Sequence, residues 1–293
     1  MPDYKNTPEF TGERFVTGEG GTRVAVEHVH RYLTAKKIVQ GLSIVDIGSG
    51  SGYGSQILSG FKDYVGVDID TESVEIANNI YGSSNVRYVQ GDATAIPLEG
   101  GIADVVVCFE TLEHVHHPEL IVKEAKRLLK PEGYFIFSTP DRDNYNAALF
   151  EANPFHVHEM TKLEILELFV DVFENVELSA QSIIQSSLIR SSSFPTGLAS
   201  EANVVAASTV TENPATYWVG IASDMKLPQL PSTILPIIEN RNIDAELVAT
   251  FLRLKQTENE LEATRKALFA ADEREINARQ YIESLEIRLQ HEG

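Results

Sequence analysis

A doubly wound α/β domain is the fold class this sequence predicts, and three observations carry that expectation. Strand-like and helix-like patterns alternate from Ser43 to Pro140. The strands are short continuous apolar runs, the form expected of a parallel sheet covered on both faces. A glycine-rich turn follows the first strand directly, at the edge where such sheets bind ligands.

The elements follow in order. Residues 24–39, VAVEHVHRYLTAKKIV, read as a helix that Gly41 ends, with Glu27 and Arg31 one turn apart and His28 and Tyr32 likewise. If exposed, the Glu27–Arg31 pair is worth only ~0.3–0.5 kcal/mol. Next come SIVDIG and its glycine turn, YVGVDI with the helix TESVEIANNIY, VRYVQGD, ADVVVCF with the helix PELIVKEAKRLLK, and GYFIFSTP. The loop DRDNYNAALFEANPFHVHEM leads to the helix TKLEILELFVDVF, where Thr161 and Glu164 have capping-box spacing. NVELSAQSII and TYWVGIASD read as two further strands, separated by residues 186–214, a long excursion rich in Ser, Ala, Thr and Asn. Pro228, Pro231 and Pro236 mark a linker. Beyond it Leu247, Leu254, Leu261, Leu268, Glu275, Ile282 and Leu289 recur at a seven-residue step, predicting a long helix able to form a coiled coil. The organisation is therefore an N-terminal segment and helix over 1–40, the α/β domain over 41–225, a Pro-rich linker over 226–242 and the long helix over 243–293.

Composition narrows the partners. Lys and Arg number 24 against 43 Asp and Glu, a formal net charge of -19. A phosphate backbone would meet repulsion, so nucleic acid is not an expected partner. No apolar stretch approaches the ~20 residues that span a bilayer, and the N-terminus lacks a signal pattern. With a single cysteine, Cys108, the expected location is the cytoplasm.

The stretch IVDIGSGSGYGS, residues 44–55, places Asp46 ahead of Gly48, Gly50, Gly52 and Gly54. A dinucleotide site needs a small residue at the third position of G-x-G-x-x-G/A. From Gly48 that position is Tyr53, and from Gly50 it is Ser55, so the spacing fails in both registers. An acid two residues ahead of G-x-G-x-G suits a ligand with an ammonium group and no pyrophosphate, as in S-adenosylmethionine. Asp68, at the end of YVGVDID, is placed to accept from both ribose hydroxyls. Asp92, in VQGDATAIP, could accept from the exocyclic amine of adenine.

In these segments the chain resembles the class I S-adenosylmethionine-dependent methyltransferases over about residues 10–225. DIGSGSG looks like the family's first motif, VGVDI its ribose acid, GDATAIP its adenine-side loop, and DVVVCFETLEHV its fourth strand and following loop. The resemblance implies a seven-stranded Rossmann-like sheet with the last strand inserted antiparallel. It also implies that Asp46 and the Gly48, Ser49, Gly50 and Gly52 backbone hold the methionine end, Asp68 with Ile69 the ribose, and Asp92 with Ala93 the adenine. More narrowly, GERFVTGEGG with EHVHRY, CFETLEHVHHPE, FSTPDR and NPFHVHEMT are similar to bacterial methyltransferases of surface-polysaccharide (O-antigen type) synthesis, some of which carry a C-terminal coiled coil. The acceptor implied is a sugar hydroxyl. The tail would then mediate self-association or docking on a glycan-synthesis partner. The alternatives are a small-molecule or lipid acceptor, or a non-catalytic scaffold working through its tail.

A sugar hydroxyl is a poor nucleophile at neutral pH, so a base is useful. Glu110 and His114 follow the fourth strand, and His156 lies in the loop after the fifth; these three are the catalytic candidates. A metal held by Glu110, His114, His116 and His117 would need ligands from one short turn to converge, so no metal is expected.

Overall fold

In the computed structural model the described residues are 22–145, 155–182, 215–231 and 233, with side chains from Val26 onward. The helix α1 is Thr22–Lys36. Seven strands follow: β1 Ser43–Ile47, β2 Asp63–Asp68, β3 Val86–Gln90, β4 Ala103–Phe109, β5 Leu129–Pro140, β6 Asn175–Gln181 and β7 Tyr217–Ser223. Between them lie α2 Gly54–Leu58, α3 Thr71–Tyr81, α4 Pro118–Leu128, α5 Arg142–Tyr145 and α6 Lys162–Val170. The segments 1–21 and 183–214, almost all of the linker beyond Pro231, and the 243–293 helix expectation fall outside the described residues.

The strands form one sheet in the order β3-β2-β1-β4-β5-β7-β6. All pairs are parallel except β5 with β7 and β6 with β7. The strand order therefore reverses between β1 and β4, and a crevice opens at the carboxyl ends of such neighbours. The apolar runs explain the order of burial: Ile44 and Val45 of β1 and Val105, Val106 and Val107 of β4 are each no more than 1% exposed, as central strands covered on both faces must be.

Local signals place the helices. Asp70 caps α3 by accepting from the Ser73 amide at 3.0 Å, and Thr161 with Glu164 forms the capping box that starts α6. Pro118 begins α4, where its missing N–H costs nothing. The apolar faces of α4 (Ile121, Val122, Ala125, Leu128) and α6 (Ile165, Phe169) join the same core cluster as Phe135 and Phe137 of β5. Phe137 and Phe169 stack with ring centroids 4.1 Å apart. The α4 helix stops at Leu128 because Leu129 pairs with Ala103 and enters β5 through a register shift.

The α1 helix is fixed differently from the exposed ion pair that its spacing suggests. Glu27 and Arg31 are each 2% exposed. Arg31 Nε donates to Gln181 Oε1 at 2.7 Å, its Nη1 lies 3.3 Å from Glu110 Oε1, and its guanidinium sits 4.3 Å from the Tyr217 ring centre. Glu27 Oε2 accepts from the Tyr217 hydroxyl at 2.9 Å. Tertiary partners thus add to the attraction between Glu27 and Arg31, and they tie α1 to β6, β7 and the end of β4. Among the described residues no helix is long and apolar enough to cross a membrane.

Candidate functional site

A crevice of about 590 Å³ opens at the carboxyl ends of β1, β2, β3 and β4, within the ~300–1,000 Å³ range of small-molecule sites. Gly48, Ser49 and Gly50 form one wall, Asp68 and Ile69 the next, and Asp92 with Ala93 the third. Glu110 and His114 stand on the wall that β4 supplies.

The acids at the strand ends are held in distinct ways. Asp68 is 8% exposed; its Oδ2 accepts from the Gly50 amide at 2.7 Å and its Oδ1 from the Asp70 amide at 3.0 Å. One carboxylate thereby locks the glycine turn to the end of β2. Asp92 Oδ1 accepts from the Thr94 hydroxyl and amide at 2.7 and 2.8 Å, which holds its carboxyl below the usual range.

Three expected residues do not line the crevice. Gly52 lies behind it: a Cβ there would meet Ala77 Cβ at 2.7 Å and the Tyr88 ring at 2.8 Å, and its carbonyl accepts from the Tyr88 hydroxyl at 2.7 Å. It serves close packing of the turn on α3 and β3. His156 sits beyond His114, with ring centroids 5.1 Å apart. Asp46 lies beneath the crevice, 0% exposed. Its Oδ2 accepts from the hydroxyls of Tyr32 at 3.0 Å and Tyr64 at 2.5 Å, and its Oδ1 has no hydrogen-bond partner among the described residues.

That burial raises the Asp46 carboxyl from an ordinary 3.8 to about 7, against the pull of its two tyrosine hydrogen bonds. The folded chain then binds more proton than the unfolded chain between those limits, so stability falls as pH rises through that window and is level above it. Between about pH 5 and about pH 8, the wild type should lose about 2–3 kcal/mol more than Asp46→Asn does. Urea midpoints at the two pH values measure this, and parallel slopes for the two proteins would remove Asp46 as the source.

Glu110 carries a positive φ of 51°, the one non-glycine residue to do so among those described. Such a conformation costs of order 1–2 kcal/mol and persists where surroundings over-determine it. Here Ser138 Oγ donates to Glu110 Oε1 at 2.7 Å while the Glu110 amide lies 3.2 Å from the same Oγ, and Arg31 stands on the other side. The neighbouring Glu113 is 0% exposed. Burial and the nearby Glu110 carboxylate push its carboxyl well above the usual range. Its backbone carbonyl accepts from the amides of both Val157 and His158, at 2.9 and 3.0 Å, which docks the loop bearing His156 against the turn after β4.

Other residues line the crevice besides those expected for the cofactor or for catalysis. Thr111, Phe155 and Tyr53 do so; Thr111 and Phe155 lie inside the histidine-rich segments, the signal that could have found them. His28 also lines it, with Nδ1 3.0 Å from the Tyr53 hydroxyl. Burial, aided by the Arg31 charge, lowers His28 to about 3, so it is neutral. His116 and His117 are exposed, and His117 pairs with Glu119 at 3.1 Å.

Comparison with known proteins agrees with this geometry. Residues 45–137 match the family described as a methyltransferase domain. A protein of Mycolicibacterium smegmatis named as a probable S-adenosylmethionine-dependent methyltransferase is 32% identical over 130 residues, 44% of this chain and 50% of its own. A ubiquinone biosynthesis O-methyltransferase of Paraburkholderia phytofirmans is 35% identical over 124 residues, 41% of this chain and 53% of its own. The chain thus spans about half the length of the curated relatives it matches. A Thermotoga maritima structure titled as an S-adenosylmethionine-dependent methyltransferase superposes with TM-score 0.50 at 22% identity, over 69% of this chain and 92% of that one. Residues 45–137 thus carry a methyltransferase domain, set in a sheet of order β3-β2-β1-β4-β5-β7-β6, and are similar to proteins named as S-adenosylmethionine-dependent methyltransferases.

Proposed function

We propose that the protein methylates oxygen, and that the acceptor is a sugar hydroxyl in surface-polysaccharide assembly. The observation that carries the oxygen reading is the pair Glu110 and His114, which line the same crevice as the glycine turn and Asp68. The similarity to proteins named as ubiquinone biosynthesis O-methyltransferases supports oxygen as the accepting atom. The polysaccharide reading rests on the motifs around His28, His114 and His156 described above.

The cofactor supplies an electrophilic methyl group on a sulfonium sulfur. In this reading the Gly48–Gly50 backbone seats its methionine end, Asp68 the ribose, and Asp92 with Ala93 the adenine side, leaving Glu110 and His114 toward the acceptor. An acceptor hydroxyl held by Glu110 and His114 would take that methyl group on oxygen, the bonding pair being left on sulfur. The hydroxyl proton passes to His114 or, through water, to Glu110, and positioning in line supplies much of the rest. Residues 243–293 would serve self-association or docking on a glycan-synthesis partner.

Two measurements test the reading. Calorimetric titration with S-adenosylmethionine should show binding that Asp68→Ala weakens by at least about tenfold, or ~1.4 kcal/mol. Incubation of the full chain with labelled cofactor and cell extract should place label on a glycan fraction, with mass spectrometry locating the methyl on oxygen. Label on nitrogen, or in a lipid fraction alone, would defeat the sugar assignment.

A further inference from the structure

Beside the crevice the structure gathers three side chains that neither the cofactor seat nor the acceptor base requires as a group. One ligand-capable atom from each of Glu113, His114 and His156 lies within 4.8 Å of the other two. They come from two separate segments, the turn after β4 and the loop before α6, and the amide bonds to the Glu113 carbonyl fix one on the other.

Hydrogen bonding orients both imidazoles. His114 Nδ1 lies 3.1 Å from the Phe155 carbonyl oxygen, which can only accept, so Nδ1 carries the proton and Nε2 the lone pair of the neutral ring. His156 Nδ1 lies 2.8 Å from Glu159 Oε1, and the same argument leaves Nε2 as its lone-pair nitrogen. A backbone carbonyl and a carboxylate are the outer partners that metal-ligating histidines use to set tautomer and ring direction.

The third group supplies the independent observation. Glu113 is 0% exposed. Its Oε2 accepts from Thr139 at 3.1 Å, while its Oε1 has no hydrogen-bond partner among the described residues. That oxygen lies 4.0 Å from His114 Nε2, beyond hydrogen-bond reach. Leaving such a buried acceptor unsatisfied costs ~1–3 kcal/mol. A carboxylate oxygen facing an imidazole lone pair at that separation is the arrangement a cation between them relieves.

We propose that Glu113, His114 and His156 bind one divalent cation, which holds the acceptor oxygen at the crevice wall. Two imidazoles and a carboxylate suit zinc, cobalt, iron or manganese better than calcium or magnesium. Ligand atoms of a tetrahedral site with ~2.1 Å bonds lie about 3.4 Å apart, so side-chain rotation of about 1 Å closes the set. Three protein ligands leave a coordination position open, and His114, which also lines the crevice, links the ion to the acceptor space. The role in holding the acceptor rests on the oxygen-transfer reading above, with the acceptor proton then passing through water to Glu110 because His114 Nε2 is a ligand; the binding of the ion stands without it.

The test uses the full chain without a histidine tag, stripped by chelator, and titrated with Zn²⁺ by calorimetry and Co²⁺ by visible absorption. One ion per chain is expected, bound on the order of micromolar or tighter. Glu113→Gln and His156→Ala should each weaken it at least about 100-fold, and Glu159→Gln about 10–100-fold. His116→Ala and His117→Ala should leave it unchanged. Near-UV circular dichroism reports folding; if the buried Glu113→Gln fails to fold, His156→Ala and Glu159→Gln decide. No stoichiometric ion, or affinity unaltered in the folded variants, overturns the site. Cofactor titration of the same stripped protein separates the two readings: cofactor binding without an ion defeats the cation site alone, and an ion without cofactor binding defeats the transferase reading alone.

Discussion

Replacing Arg31 by alanine should lower the free energy of unfolding by about 3–5 kcal/mol, the range seen when one partner of a buried ion pair is removed. Arg31 and Glu110 are both enclosed, with side chains 1% and 13% exposed. Burial works against the arginine charge, but Glu110, Tyr217, Glu27 and Glu113 outweigh it and hold its pKa above the ordinary value. Alanine leaves Glu110 with Ser138 as its remaining side-chain partner among the described residues, strips Gln181 Oε1 of its donor and takes the cation from the Tyr217 ring. The loss falls on the contacts that hold α1 against the sheet. Arg31→Met combined with Glu110→Gln should recover part of it, because no charge is then buried alone, and the two positions should couple by ~0.5–3 kcal/mol. Urea denaturation of wild type, Arg31→Ala, Arg31→Met, Glu110→Gln and the double variant measures both quantities. A loss below about 1 kcal/mol for Arg31→Ala would show that the pair is dispensable.

The same residue shows where reading from sequence reaches its limit. Period and spacing made α1 legible, but the rule that residues four apart pair on a helix is a statement about exposed surface. Arg31 faces inward, and its nearest groups come from β6, β7 and the end of β4, so no local rule could name them. The sheet was more legible because apolar runs, an inserted glycine turn and strand-end acids are each local signals. Asp68 and Asp92 stand at the crevice as their strand-end positions imply. Asp46 occupies a similar place in the sequence, yet it turns toward Tyr32 and Tyr64, 14 and 18 residues away; the direction of a side chain at a strand end depends on such partners. Both histidine-rich segments were visible as unusual, but their meeting through His114 and His156 depends on the loop docking on the Glu113 carbonyl, a long-range contact without a sequence mark.

Gly48→Ala should weaken S-adenosylmethionine binding about 100-fold, equivalent to ~2.8 kcal/mol. Two penalties combine. Gly48 has φ 73°, a left-handed conformation that costs a residue with a Cβ roughly 1–2 kcal/mol. A Cβ there would also lie 2.2 Å from Thr111 Oγ1, so either the glycine turn or the turn after β4 must move. The Gly48 amide is bound to the Val67 carbonyl at 2.8 Å, which resists movement of the glycine turn. Thr111 lines the crevice and its hydroxyl is held by the Phe109 carbonyl at 3.1 Å, so displacing it reshapes the wall that also carries Glu110. Gly50 is the control: its φ is 52° but a Cβ meets nothing within 4 Å, so Gly50→Ala carries the conformational cost alone and should weaken binding by about tenfold or less. Adding Thr111→Ala to Gly48→Ala removes the Oγ1 and Cγ2 contacts but leaves Thr111 Cβ at 3.2 Å and the φ penalty intact, so affinity should return only in part. Calorimetry on the four proteins decides it, and Gly48→Ala binding within about threefold of wild type would mean that the crevice wall yields without reaching the cofactor.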